Sequence, residues 1–373
     1  MKAVLKFIKK EPIMIAAVIL AVVTCFFVPP NLEYLDYINF KTLTTIFSLS
    51  IIIKALNKIN TFKILATKIL PLIKSSRGLV TALVFLPTIL ALFITNDVAV
   101  LTFVPFALII LNMCDMSHLA LKTVILICIG SNLGGLISPI GNSQNLYLFS
   151  YYNLPPLFLL KNAYMSYAFG ILLLFACCML TKKEAVSTFD NKKREVKKVR
   201  LGVYLFLLVL AVSAVVLRIP YYYLITFGVV VVAMFIMDRS LYKSVNYSIL
   251  VTFTAFFIFS GNIKKMESIS NILQGIIAGR EYFLTIGLTQ IISNTPAAII
   301  VSQFSDNVLP VVLGANIGKN GTIIASLNAA VAMRLYTSMD DRPMRFLGML
   351  LLYNFIFLIC MTGIGFLNIL LFG

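Results

Sequence analysis

The chain has 373 residues, 60% of them hydrophobic and only 12% charged, with a formal net charge of +17. A soluble domain carries about 25% charged residues, so an ordinary cytosolic fold is excluded and one membrane domain is indicated. The positive charge does not signal nucleic-acid binding, because Lys and Arg gather in short segments between apolar runs, as the positive-inside rule describes.

The N-terminal segment is basic and then apolar, with no small-residue cleavage site before Pro29-Pro30. It reads as a first membrane helix rather than a removable leader. Crossings are expected at 12–29, 40–56, 119–151, 157–180, 201–217, 222–237, 247–263, 308–336 and 345–371, about nine spans. Two further apolar stretches, 78–112 and 281–305, centre on Thr95-Asn96-Asp97 and Ser293-Asn294-Thr295. These read as re-entrant hairpins, since irregular backbone at membrane depth is tolerated only inside protein or beside a water-filled cavity.

Segments 1–11, 57–77, 113–118, 181–200, 238–246 and 337–344 hold most of the Lys and Arg, whereas loop 30–39 has Glu33 and Asp36 and no Lys or Arg. The asymmetry predicts a cytoplasmic N-terminus and an outer C-terminus in a prokaryotic inner membrane. Segment 57–76, with Lys58, Lys63, Lys68 and Lys74 among apolar residues, reads as an amphipathic helix on the cytoplasmic interface; 264–279 is its outer counterpart. Segment 181–200 is a basic linker with no chemistry of its own. Lys54 and Arg334 are expected to snorkel, and Tyr221-Tyr222-Tyr223 to anchor at an interface.

Two elements recur in order. Each hairpin is followed by a Gly-rich interruption of an apolar span: Gly130-Ser131-Asn132-Leu133-Gly134-Gly135, then Gly314-Ala315-Asn316-Ile317-Gly318-Lys319. Both fit G-x-N-[LI]-G. The first continues to Gly141-Asn142-Ser143-Gln144-Asn145, the second to Asn320-Gly321-Thr322, Ser326 and Asn328. An odd number of crossings separates the hairpins, so they face opposite ways. The expected fold is therefore an all-α polytopic membrane protein of two inverted repeats, residues 1–180 and 201–373, joined by linker 181–200. Each repeat has a hairpin (78–112, 281–305) and a broken helix (119–151, 308–336), the best sequence pointer to a transporter's binding site.

The residue types suit an ion site. Asn, Ser and Thr supply oxygens without burying a charge, half-helix ends supply N–H groups and free carbonyls, and Gly permits the backbone a break needs. The predicted Na⁺ ligands are Thr95, Asn96, Asn132, Ser293, Asn294 and Asn316. Asp97, Gly134, Gly141, Asn142, Thr295, Gly318, Lys319 and Thr322 complete the predicted substrate and ion site. Asp97 is the lone carboxylate in 78–112 and a functional group by default at that depth. Lys319 either comes close to Asp97 in one conformational state or faces an aqueous vestibule. The six cysteines lack metal-ligand spacing and His118 is the only histidine, so zinc sites, disulfides and an enzyme's nucleophile–base pair are not expected.

In FITNDVAVLTFVPF, SNLGGLISPIGNSQNLYLF, SNTPAA and GANIGKNGTIIASLNA the chain resembles the ion transporter superfamily, over about residues 12–371. That group includes divalent anion:sodium symporters, citrate carriers, arsenite-efflux permeases and one class of sodium/proton antiporters. The resemblance implies a homodimeric elevator carrier in the lipid bilayer, with hairpin tips that bind sodium and substrate. Ser293-Asn294-Thr295 matches the symporter tip in full. Asp97 departs from its Thr and looks like the arsenite-permease and antiporter branches, and Lys319 stands where both have Gly. The expected function is secondary transport of a small anion or oxyanion, carboxylate-like or arsenite-like, coupled to Na⁺ or H⁺ with no other cofactor. The alternatives are Na⁺/H⁺ antiport through Asp97 and, more remotely, a membrane scaffold without transport.

Overall fold

A computed structural model describes residues 12–61, 73–186, 198–216, 219, 221–337 and 342–372. These residues are nearly all helical; one isolated backbone bridge, Ser75 with Ala185, is their only strand-like pairing. The first half comprises α1 (Pro12–Cys25), α2 (Phe40–Lys58), α3 (Ser76–Leu90), α4 (Asn96–Met113), α5 (Ala120–Gly134), α6 (Ser143–Tyr151) and α7 (Tyr164–Met179). The second comprises α8 (Lys198–Val216), α9 (Tyr222–Met237), α10 (Tyr247–Lys265), α11 (Glu267–Ile277), α12 (Glu281–Ile292), α13 (Asn294–Gln303), α14 (Val308–Ile317), α15 (Leu327–Thr337) and α16 (Pro343–Phe372).

Polarity is inverted relative to a soluble protein. Phe206, Ile236, Ile359 and Leu370 lie exposed on the periphery, whereas Asn132, Asn142, Asn145 and Asn316 are buried at the centre. Apolar side chains face outward because hydrocarbon is the solvent there, and amides gather where they can bond one another. Among the described residues, Phe40–Lys58, Asn96–Met113, Ser117–Gly134, Tyr247–Lys265 and Pro343–Phe372 are long and apolar enough to cross a membrane. The chain is an all-α polytopic membrane protein.

Two helix pairs with short tips and two helix interruptions occur where the polar clusters lie. The arms α3 and α4 pack together around a tip at 91–95, and α12 and α13 around Ser293. The second hairpin's arms have 12 and 10 residues, roughly 18 and 15 Å at 1.5 Å per residue, too short for a ~30 Å core. The first is longer, and α4 alone reaches 18 residues. The expected spans 119–151 and 308–336 are each two helices, separated at 135–142 and 318–326. Asn132 and Asn316 sit in the last helical turn before each gap rather than within it.

The glycines correct one expectation. Glycine is expected at the breaks for a left-handed or extended backbone; among the described residues only Gly279 has a positive φ for glycine, so the left-handed alternative does not apply there. The glycines serve close approach. A Cβ at Gly130 would fall on the Thr88 hydroxyl, and one at Gly134 on the Thr88 carbonyl oxygen. A Cβ at Gly314 would lie 2.8 Å from Thr285 Cβ, and one at Gly318 would lie 2.9 Å from Thr289 Cβ. Each G-x-x-x-G pair therefore lets a broken helix press onto the first hairpin arm, α5 on α3 and α14 on α12, as small residues do between membrane helices.

Packing also crosses between the halves. Helix α1 lies on α10 and α2 on α9; α6 lies on α13 and α15 on α4; α7 lies on α16. Each 19-residue helix α2 and α10 ends in a lysine paired with a carboxylate in the loop before the other. Lys58 reaches Asp238 at 2.6 Å, and Lys265 pairs with Glu33. Helix α11 leaves Ile269, Ile272 and Ile276 exposed on one face. The interface helix expected over 57–76 falls largely outside the described residues, as does most of linker 181–200; its first residues are pinned to the foot of α3 by Ser76 N–H donating to Glu184 C=O at 2.9 Å.

Candidate functional site

Four helix N-termini and the ends of four others converge on one buried centre, because each hairpin tip and each break is held by side chains from its neighbours. Asn132 is the hub. Its Oδ1 accepts from Asn96 Nδ2 at 3.0 Å and Asn328 Nδ2 at 3.3 Å. Its Nδ2 donates to Asn320 Oδ1 at 3.3 Å, and its backbone carbonyl accepts from Lys319 Nζ at 3.3 Å. One side chain thus ties the first tip to the second break.

A second set joins the breaks directly. Asn142 Nδ2 donates to Asn316 Oδ1 at 3.2 Å, and Asn316 Nδ2 donates to Asn145 Oδ1 at 2.7 Å. Asn142 Oδ1 also accepts from Asn145 N–H at 2.8 Å and so caps α6. The second tip joins through Asn294 Nδ2, which donates to Gln144 Oε1 at 2.9 Å; Thr295 and Ser143 share a hydroxyl contact of 3.3 Å. Gln144 Nε2 and Ser131 Oγ are buried without a protein partner, an arrangement that costs free energy unless something else accepts from them.

The tips share one device. Asn96 Oδ1 accepts from Asp97 N–H at 3.1 Å, and Asn294 Oδ1 from Thr295 N–H at 2.9 Å. Neither Thr95 nor Ser293 caps its helix with its hydroxyl. The backbones differ: Thr95 is relaxed at φ −69°, ψ 144°, while Ser293 is held at φ 76°, ψ 160°. That region is nearly glycine-only, and a side chain there stores about 1–3 kcal/mol of strain, a feature that clusters at functional sites.

Thr95, Asn96, Asp97, Asn132, Gly134, Gly141, Asn142, Ser293, Asn294, Thr295, Asn316, Gly318, Lys319 and Thr322 all lie at the tips, the breaks or their flanking turns. Gly141 accepts from Asn96 N–H at 2.8 Å, and Thr322 is held at one remove by Gln290. Asp97 is half-buried in the first turn of α4. It makes no ion pair within 4 Å with Lys319. Lys319 is completely enclosed, so it faces no vestibule in this conformation. Arg334 is exposed near the end of α15, as expected for a snorkelling side chain.

Several residues at the centre escape sequence reasoning. Gln290 Nε2 donates to Gly318 C=O at 2.7 Å, and its Oε1 accepts from Thr322 N–H at 2.9 Å. Asn354 Nδ2 donates to Gly321 C=O at 3.0 Å from α16. Each is a lone amide inside an apolar run, which is the signal that marks them. Among the described residues no group of three His, Cys, Asp or Glu gathers to hold a metal; the oxygen-rich, thiol-free centre suits a hard monovalent cation and a small anion.

A multi-pass helical membrane transporter is the class of protein these features define, and comparison with known proteins agrees. The chain belongs to the family described as Citrate transporter, which matches residues 4–315 and so ends one residue before Asn316. It is 31% identical over 312 residues to the "Uncharacterized transporter MJ0456" of Methanocaldococcus jannaschii, covering 82% of this chain and 83% of that protein. It is 27% identical over 311 residues to the "Inner membrane protein YbiR" of Escherichia coli K12, covering 80% of each.

Proposed function

We propose that this chain is a secondary carrier for a small anion or oxyanion, carboxylate-like or arsenite-like, coupled to Na⁺ or H⁺ by alternating access. One observation carries the proposal: two interrupted helices meet at Asn132, Asn142 and Asn316 in the buried centre, and each hairpin tip is hydrogen-bonded onto that junction. The starts of α4, α6, α13 and α15 bring N–H groups and positive dipole ends suited to an anion, while the ends of α5 and α14 bring carbonyls suited to a cation. The six predicted Na⁺ ligands, Thr95, Asn96, Asn132, Ser293, Asn294 and Asn316, supply or border these groups.

The cross-packing of α1 with α10, α2 with α9, α6 with α13 and α15 with α4 supports two inverted repeats. Transport would then be a movement of hairpins and broken helices against the remaining helices, elevator-fashion, in a homodimer. The charge asymmetry of the loops supports a cytoplasmic N-terminus and outer C-terminus, and the inner-membrane relative supports the same compartment. The transporter family favours a carrier over an enzyme or a scaffold. Exchange of Na⁺ for H⁺ at Asp97 is the second reading, favoured by its place in the first turn of α4 beside the buried Asn96.

Purified protein in liposomes separates the two. Citrate, succinate and arsenite are offered under imposed Na⁺ or pH gradients. Gradient-driven uptake of one of these anions is expected. Dissipation of a pH gradient by Na⁺ with no anion moved would replace this reading with exchange.

A further inference from the structure

The two broken helices end alike in sequence but face different groups. Helix α5 ends on Asn132-Leu133-Gly134, and the last carbonyls of a helix have no intrahelical partner and carry its negative dipole end. Leu136 N–H, which would close an α-turn on Asn132, donates to Leu133 C=O instead, at 2.9 Å. The freed Asn132 carbonyl receives Lys319 Nζ. At the matching end of α14 the position corresponding to Lys319 is Gly135, and the Asn316 side chain meets neutral groups, the amides of Asn142 and Asn145 and the Val312 carbonyl of its own helix.

We propose that the Lys319 ammonium is a tethered cation that takes the place of one coupling ion at the end of α5, so that a mobile cation is needed only at the α14 side. The geometry is that of a cation site: a helix C-terminal carbonyl, a fully enclosed ammonium, and Asp97 next in sequence to Asn96, whose Nδ2 donates to the same Asn132. Asp97 sits in the first turn of α4, where a negative charge is favoured, and balances the lysine. Asn132, one of the six predicted Na⁺ ligands, has its Oδ1 taken up by Asn96 and Asn328, so in this conformation it borders the cation's place without supplying its side-chain oxygen. The tethered ion presupposes the carrier reading and fixes a feature of it: one coupling cation fewer than a pair of matched ends would take.

Sodium binding tests this without any transport assay. The full chain in detergent is unfolded thermally in NaCl and in choline chloride at equal concentration, as wild type and as Lys319→Ser, Lys319→Gln and Lys319→Arg. The neutral variants are expected to gain a sodium-specific rise in Tm beyond that of the wild type, roughly 2 °C or more at sodium well above its dissociation constant. Lys319→Arg, which keeps the charge, is expected to behave as wild type. Folding of a neutral variant in sodium but not in choline supports the proposal equally. Identical sodium responses in wild type and neutral variants, or neutral variants unfolded in both salts, overturn it. The Asp97→Asn, Lys319→Ser double variant is expected to lose the extra response; persistence there places the new sodium elsewhere and also overturns it. A wild type that transports, together with neutral variants whose sodium response does not exceed its own, sinks the tethered ion alone, whereas a wild type that moves neither anion nor cation sinks the carrier.

Discussion

Asn96 and Asn294 open the second arms of their hairpins with the same turn of hydrogen bonding, and beyond that first turn the two sides diverge. Asn96 is bonded to Asn132, in the broken helix of its own half, while Asn294 reaches across to Gln144 in the other half. The first tip bears a carboxylate and is bonded to Asn132, whose carbonyl receives a lysine; the second bears only hydroxyls and amides and a strained Ser293. Similar backbone elements therefore frame one side with built-in charge and one without. A protein placing full charges in hydrocarbon must pair or enclose them, whereas neutral amides leave net charge to be supplied by a solute. On the proposed carrier reading, the second side is the exchangeable one.

The sharpest way to break that comparison is at the hub. Asn132→Ala strands Asn96 Nδ2, Asn328 Nδ2 and Asn320 Oδ1 at once, each without its partner. At roughly 0.6–1.7 kcal/mol per buried bond in a membrane protein, the loss is about 2–5 kcal/mol. Asn316→Ala strands fewer groups, since Asn142 Nδ2 keeps Gly135 C=O at 2.9 Å. Denaturant unfolding in micelles should place Asn132→Ala below Asn316→Ala in stability; the reverse order would make the second break the structural centre.

A smaller effect is expected at the helix–helix seams. Gly134→Ala drives a methyl onto the Thr88 carbonyl, a backbone atom that cannot rotate away, so the cost should sit near the top of the ~1–3 kcal/mol overpacking range. Gly318→Ala meets the Gly314 carbonyl oxygen and Thr289 Cβ at 2.9 Å each, a shallower overlap than that on the Thr88 carbonyl oxygen at Gly134, and should cost about 1 kcal/mol. Equal losses would mean that the α3–α5 seam yields as easily as the α12–α14 seam.

How much of this was legible in the sequence depends on the residue. The tips and both breaks were, because Asn, Gly and Asp stand out inside apolar runs that lipid would otherwise keep uniform. The role of the glycines was not, since sequence does not distinguish a glycine needed for its φ from one needed for its missing Cβ; only the position of Thr88, Thr285 and Thr289 on neighbouring helices does. Gln290 and Asn354 were passed over because each is one amide without a motif, and their partners lie 28 and 33 residues away. The Lys319 contact joins residues 187 apart, a relation no local pattern carries.

The smallest predicted effect sharpens the comparison at its edges. Lys58–Asp238 and Lys265–Glu33 close matching helices at opposite ends, but Asp238 keeps only 14% of its side chain exposed against 55% for Glu33. The Lys58 ammonium, then the Ser240 hydroxyl, hold the Asp238 carboxyl below its ordinary range near 3.8. A lowered folded value means that the stabilisation is fully present above about pH 4 and is lost as pH falls through that lowered value. Because Lys58 is half-exposed, solvent screening limits the pair to under about 1 kcal/mol. Lys58→Gln should therefore lower Tm slightly at pH 7, and the gap from wild type should shrink as pH falls below 4. Lys265→Gln should do less at pH 7, its partner being more open to water, although it also gives up a cation stacked 5.9 Å from the Tyr37 ring centroid. Should Lys265→Gln prove the more costly, that aromatic contact rather than the ion pair holds the Glu33 end closed, and the two ends are alike in sequence pattern only.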